Sequence, residues 1–350
     1  MKLSDFDYHL PKELIAQKPI SPRDSSRLLV VDRKTKEIKH KKFRDIFDYL
    51  FPGDALVLND SKVVPARLLG ERSFFSSAKK AEILLLKPKG KEIFDFSFWP
   101  KTWLAIGGPN LKEKEEIYFK ENFFAKIEKK SGYELEISFN LGGEELKKEI
   151  ISLSRTPLPP YIKTIPKGAK EKYQTVYAKH FGSIAAPTAG FHFTSELLEK
   201  IKNKGVKIQY LTLHIGLGTF LPVKTNEIEK YKIHREYFVL DKKTADALNE
   251  VKNQGKKIVA VGTTTSRVLE FCAGKDGLVY PKEGWTDLFI YPGYKFKFID
   301  ALITNFHLPK STLLMLVCAF GGKELIFKCY EEAVKNKYRF YSFGDAMVII

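Results

Sequence analysis

Four of the seven histidines, His192, His214, His234 and His307, stand beside glycines or turn residues, where an imidazole could move protons. His192 lies in "AAPTAGFHF" (185–193), between two phenylalanines and after Gly190, which permits close backbone approach or positive φ. The plain alternative is an inert, hydrogen-bonded histidine in an aromatic cluster. His214 leads into "HIGLGTF", where Gly216 and Gly218 would let backbone N–H groups approach a ligand. The strand–GxGxxG–helix context of a dinucleotide fingerprint is missing there. In "IHREYFVL" (233–240), read as a strand, His234 and Glu236 share a face because side chains alternate with period two. A carboxylate beside an imidazole fixes its tautomer and raises its basicity, the arrangement of a general base and its orienter. A surface ion pair is the alternative.

Two further stretches suit ligand binding. "VAVGTTTSRVLE" (259–270) runs from an apparent strand through Gly262, Thr263 and further hydroxyls into a helix carrying Arg267. Free N–H groups and hydroxyls at a helix start make an anion site, for a phosphate or a carboxylate. The GK[ST] ending of a Walker A loop is absent, and a simple capped helix is the alternative. "TDLFIYPGYKFKFIDALITNFHLPKST" (286–312) brings Tyr291 and Tyr294 around Pro292-Gly293, then Asn305 and His307 before another helix. Aromatic faces there could hold a base or a cation. No histidine stands in HExxH or another close ligand pair, so no metal is expected.

These residues need elements to hold them. "SRLLVVD" (26–32) and "ALVLND" (55–60) read as strands, with a short helix "FRDIFDYL" (43–50) between. From about 66 to 150 the texture is short, β-rich and aromatic: "AEILLLK", "EIFDFSFW", "TWLAI", "EEIYF", "NFFAKIEKK" and "YELEISF". That spacing predicts a small antiparallel barrel or sandwich. The prolines of "SRTPLPPYIK" (154–163) mark the crossing back. Helices at 194–205, 243–255 and 311–322 then alternate with strands at 206–215, 256–262 and 298–306. The expected fold is a mixed α/β main domain, residues 1–65 plus 151–350, with an inserted small antiparallel β-barrel domain at 66–150.

Composition narrows the function class. At 44% hydrophobic and 13% aromatic the chain can bury a sizeable core. The formal net charge of +17 points to a polyanionic partner, nucleic acid first, although lysine enrichment also accompanies heat adaptation. Arginines are few and fall beside the motif-like stretches; their planar fork suits phosphate or carboxylate. Three scattered cysteines form no CxxC pair, no apolar h-region opens the chain, and "LLMLVCAF" is too short to span a bilayer. A cytoplasmic protein with no membrane attachment is expected.

In order, "DFDYHLPKELIAQKPISPRDSSRLLVVD", "LVLNDSKVVPARLLG", "PLPPYIK", "YQTVYA", "AAPTAGFHF", "LHIGLGTF", "VGTTTSR", "IYPGYKFKFIDALITNFHLPKSTLLMLV" and "YRFYSFGDAM" resemble the S-adenosylmethionine:tRNA ribosyltransferase-isomerase family of queuosine biosynthesis, nearly end to end. Departures are small: Phe191 where the family often has leucine, and "TTTSR" where "TTSVR" is common. The resemblance implies that S-adenosylmethionine is consumed as a ribosyl donor, a substrate with no cofactor beside it. The acceptor is 7-aminomethyl-7-deazaguanine at the tRNA wobble position, and the products are epoxyqueuosine-tRNA, adenine and methionine. It also implies an α/β domain with a barrel insertion. Proton transfers would fall to His192, His214 and the His234–Glu236 pair, in unassigned order. Gly190, Gly216, Gly218, Thr263, Arg267, Tyr291, Asn305 and His307 would hold substrate, and Arg23, Arg27 and Arg67 the tRNA. A monomer is expected. The competing classes are a non-catalytic RNA-binding protein and a metal-dependent hydrolase.

Overall fold

The computed structural model describes residues 1–72, 79–93, 97–159, 161–163, 168–216, 223 and 225–350. The main sheet is built from β1 (Arg27–Val31), β2 (Ile38–Lys42), β3 (Ala55–Asn59), β12 (Lys207–His214), β13 (Glu236–Leu240), β14 (Ile258–Val261), β15 (Lys282–Thr286), β16 (Ala301–Asn305) and β17 (Ala346–Ile349). Their order is β15-β13-β12-β3-β14-β16-β17-β1-β2. A closed barrel holds β5 (Arg67–Glu71), β6 (Lys80–Pro88), β7 (Thr102–Gly107), β8 (Glu116–Lys120), β9 (Phe123–Ser131) and β10 (Glu134–Phe139). A short parallel pair joins β4 (Ser61–Val63) to β11 (His180–Ser183). The α/β frame with an inserted antiparallel barrel is the fold read from the sequence.

The centre of the sheet is apolar on both faces, as a strand covered from both sides must be. In β3 all five residues are buried. Ala55 and Val57 point into one core, with Leu248, Val251, Val268 and Leu269 of helices α4 (Lys242–Asn253) and α5 (Thr263–Cys272). Leu56 and Leu58 point into the other, with Phe193, Leu197 and Ile201 around α3 (Ser195–Asn203). Truncating Leu56 or Leu58 to alanine would cost about 2–5 kcal/mol. The barrel has its own core, running from Val64 to Ile150 and including Trp103, Ile117, Phe139 and Leu146 of α1 (Gly143–Leu153).

Strand direction decides where the polar residues collect. β12, β14 and β16 run with β3 through successive parallel pairings. β17 runs against β16, β1 with β17, and β13 against β12. The carboxyl ends of β3, β12, β14 and β16 therefore share one sheet edge with the amino ends of β1, β13 and β17. Asn59, His214, Gly262, Asn305, Ser26, Glu236 and Asp345 all lie along it. Crevices at the carboxyl ends of parallel strands are the usual ligand position in open α/β sheets.

The short helix expected at 43–50 is present as a 3-10 helix, Phe43–Tyr49. Two local expectations are corrected. The strand expected over 233–240 begins only at Glu236, because its neighbour β15 ends at Thr286, the register partner of Glu236. The sixth barrel strand is β5, not "EIFDFSFW"; of that stretch residues 94–96 lie outside the described residues, and 97–99 are not strand.

Candidate active site

The most informative pair lies where α5 leaves the sheet. Gly262 turns the chain at φ 89°, a conformation that favours glycine, and α5 starts at the next residue. Arg267 sits one turn into α5, nearly buried. Its Nε donates to Leu288 O at 2.9 Å, and Nη1 forms an ion pair with Glu236 Oε2. Glu236 Oε1 accepts the Gly216 N–H at 3.1 Å. Arg267 Nη2 is buried and has no hydrogen-bond partner among the described residues. Arg267 and Glu236 line a pocket with Ile233, His234, Phe289 and Leu316. A guanidinium anchored on one carboxylate, with Nη2 unused beside apolar walls, can take an oxygen of a second carboxylate or phosphate.

Three hydroxyls of that turn and helix are engaged within the protein. Thr265 Oγ1 donates to Val261 O at 2.7 Å and Ser266 Oγ to Gly262 O at 3.2 Å, closing on their own helix. Thr264 Oγ1 accepts from Asn59 Nδ2 at 3.3 Å, and Thr263 is buried. The histidine–carboxylate pair is also rearranged. His234 is exposed, outside the strand, at the same pocket as Glu236, whose carboxylate holds Arg267 and Gly216.

His192 is 4% exposed and stacks on Phe43, with ring centroids 4.8 Å apart. Asn305 Oδ1 accepts from Thr188 Oγ1, and Asn305 Nδ2 donates to Tyr341 O at 3.1 Å, which fixes the amide. That Nδ2 also faces His192 Nε2 at 3.2 Å, so Nε2 is the acceptor. The ring proton is then on Nδ1, donated to Ser26 Oγ at 2.7 Å. Burial first, then Arg339 and Arg23, push its pKa down to about 3. His192 is a neutral imidazole with both nitrogens engaged. Gly190 serves close approach, not positive φ: a Cβ there would meet the Tyr177 hydroxyl at 2.0 Å.

The histidines do not form one cluster. His307 Nε2 is 2.7 Å from Thr304 Oγ1, the His307 N–H donates to Tyr330 OH, and burial lowers its pKa to about 3. His214, at the end of β12, has a buried Nδ1 without a partner among the described residues. Its pKa falls to about 4 through burial and then the neighbouring His180. Gly182 makes room for that ring, since a Cβ there would lie 2.6 Å from His214 Nδ1.

Sequence reasoning missed the residues at the end of β3. Asn59 Oδ1 accepts both the Ser61 and the Leu213 N–H, and Asn59 Nδ2 donates to Leu213 O. Asp60 Oδ1 accepts from Thr212 Oγ1 at 2.7 Å, and its Oδ2 lies 3.6 Å from the exposed His180 Nε2. Desolvation raises the Asp60 pKa. The available signal was "ND" closing a strongly apolar strand, an unusual place for a carboxylate.

The other candidates are scattered. Tyr291 packs on Phe289 of the Arg267 pocket, centroids 5.1 Å apart. Gly218 lies outside the described residues. Arg23 donates to the carbonyls of Gln174 and Glu171, and Arg27 to those of Asn336 and Lys337 and to Asp345. Arg67 binds Glu82 through two bonds of 2.8 and 2.7 Å. An RNA would have to share these guanidinium groups with protein acceptors. Among the described residues no group of three or more His, Cys, Asp or Glu is arranged to hold a metal. No described helix is long and apolar enough to cross a membrane.

Comparison with known proteins covers the same length. The family model described as queuosine biosynthesis protein matches residues 3–349. A protein of Sulfurihydrogenibium sp. (strain YO3AOP1), named S-adenosylmethionine:tRNA ribosyltransferase-isomerase, is 50% identical over all of both chains. One of the same name from Caldanaerobacter subterraneus subsp. tengcongensis is 49% identical, again over all of both. The crystal structure of an S-adenosylmethionine tRNA ribosyltransferase from Thermotoga maritima is 39% identical, with a TM-score of 0.56 over 99% of this chain and 100% of that one.

Proposed function

Because the chain belongs to the queuosine biosynthesis family of S-adenosylmethionine:tRNA ribosyltransferase-isomerases, we propose that it moves the ribosyl group of S-adenosylmethionine onto 7-aminomethyl-7-deazaguanine at the tRNA wobble position. Epoxyqueuosine-tRNA, adenine and methionine are the products. S-adenosylmethionine is a consumed substrate, no cofactor takes part, and the work belongs in the cytoplasm. The observation that carries the reading is the buried Nη2 of Arg267, without a hydrogen-bond partner among the described residues, in a side chain that lines a pocket with His234. It fits the methionine carboxylate, with Glu236 and Leu288 O fixing the guanidinium so that little order is lost on binding.

The chemistry asks for three proton transfers. The sulfonium acidifies the adjacent C5′ hydrogens and a base removes one. Adenine leaves more readily once an acid protonates it. The acceptor amine attacks only when neutral. We assign proton transfer to His234, which is exposed at the pocket and free to exchange protons with water. His192 and His214 are neutral and buried; His192, with both ring nitrogens engaged, suits positioning.

The test is to incubate the chain with S-adenosylmethionine and tRNA bearing the aminomethyl-deazaguanine, without added metal, and to follow adenine by mass spectrometry. Stoichiometric adenine and a mass gain on the tRNA are expected. Adenine absent, or present only when metal is added, would overturn the reading.

A further inference from the structure

A row of aromatic rings runs along the sheet on the side away from the Arg267 pocket. His214 is the register partner of Tyr237, and Tyr237 of Trp285, so three rings stand side by side on β12, β13 and β15. His214 and Tyr237 lie nearly parallel with centroids 6.3 Å apart; Tyr237 and Trp285 meet edge-on at 5.6 Å. Phe238 and Leu240 face the core, so Tyr237 faces the opposite way, half-buried. Glu236 and Tyr237 are successive residues, which puts the pocket and the ring row back to back across one strand.

β15 is the last strand of the sheet, and Glu92 and Lys87 of the inserted segment reach it there. Trp285 Nε1 donates to Glu92 at 2.9 Å, and Tyr237 donates its hydroxyl to Glu283. Both carboxylates hold ring edges. Over the Trp285 ring stand Lys87 Nζ, from barrel strand β6, at 5.8 Å from the centroid, and the Arg235 guanidinium at 5.9 Å. Those distances are the outer limit of a cation–π contact. Neither cation is in an ion pair among the described residues.

We propose that this row is where the single-stranded loop of the RNA docks. An unpaired base of that loop stacks on Trp285, and Lys87 and Arg235 take neighbouring phosphates. This rests on the RNA-modifying reading above. A half-buried indole with two cations near its ring, neither in an ion pair among the described residues, matches an unstacked nucleotide, which offers a ring face and an adjacent negative charge together. A duplex hides its base faces and cannot use the ring. One cation comes from the barrel and one from the main sheet, so the docked loop bridges the two bodies.

The full chain supplies its own probe, because the other two tryptophans, Trp99 and Trp103, are buried in the barrel at 6% and 0% exposure. Titration with an anticodon stem-loop RNA should quench the Trp285 emission, and a blunt duplex of equal length should not. Trp285→Leu should weaken stem-loop binding about 5- to 100-fold and raise the KM for RNA while leaving that for S-adenosylmethionine within about twofold. Trp285→Phe, which keeps a ring, should recover most of the affinity. Lys87→Ala with Arg235→Ala should lower the salt dependence of binding. Unchanged stem-loop affinity in Trp285→Leu, or equal quenching by the duplex, overturns the proposal while leaving the RNA-modifying reading intact. An altered oligomeric state with untouched RNA affinity identifies a protein interface and overturns it too. A wild-type chain that neither binds the stem-loop nor releases adenine removes both.

Discussion

Arg267, which lines a pocket with Glu236, is held by that carboxylate through Nη1 and leaves Nη2 buried with no hydrogen-bond partner among the described residues. The pair joins the first turns of α5 to the first residue of β13, two elements that meet only in the folded sheet. Breaking it by Arg267→Ala would leave a buried carboxylate without its cation, at a cost of about 3–5 kcal/mol of stability. Adenine release should fall at least about 100-fold, with a raised KM for S-adenosylmethionine. Arg267→Lys keeps the charge without the fork, so it should recover stability more than activity. Thermal melts and steady-state kinetics on both variants check this; a normal KM in Arg267→Ala would move the carboxylate elsewhere.

His234 is the exposed histidine at that pocket. His234→Ala should slow adenine release at least about 100-fold while RNA affinity stays within about twofold. Unchanged turnover would remove His234 from the chemistry. His192→Ala should also slow release, but with a drop in melting temperature, since it removes contacts to Ser26, Asn305 and Phe43.

Stability should depend on pH in a stated direction. His192, His214 and His307 have folded pKa values of about 3, 4 and 3, all below the ordinary 6.5. Between those values the unfolded chain binds protons that the folded chain does not, so stability rises with pH. It is complete above about pH 6.5 and declines as the pH falls toward 4, by up to about 1.4 kcal/mol per pH unit for each histidine. Denaturant midpoints at pH 7.5 and pH 5 should differ accordingly, and less in His307→Asn. Identical midpoints would contradict the buried neutral rings.

The net charge of +17 predicts a steep salt response. If six or more phosphates are contacted, tRNA affinity should drop about 10³-fold or more between 50 and 200 mM salt. Filter binding across that range measures the slope. A flat response would mean that the charge is solvated surface.

What the sequence determined by itself is local. Apolar runs of five residues, the glycine after "VAV" and the hydroxyl pair Thr194-Ser195 before "ELLEKI" dictate strands, a turn and a cap because each acts on its own neighbours. Thr194 caps α3 through the Leu197 N–H at 3.1 Å, as a residue of that type at that place should. The barrel was legible for the same reason, since closely spaced short strands have few other ways to bury their faces. The order of nine family motifs carried the activity, which no single motif does.

Tertiary structure decided which of those residues meet. The His234–Glu236 spacing suggested a pair, but β15 ends opposite Glu236, and the buried guanidinium of Arg267 meets the carboxylate there. Asn305 and His192 lie 113 residues apart and touch only because β16 delivers one beside the 3-10 turn carrying the other. Asp60 became visible once β3, β12 and β11 came together around it. Burial is a property of the packed sheet, and burial is what makes His192 neutral, while the amide of Asn305 fixes its tautomer. Periodicity can place a side chain on a face; only the fold sets what dielectric, partner and strand end it finds there.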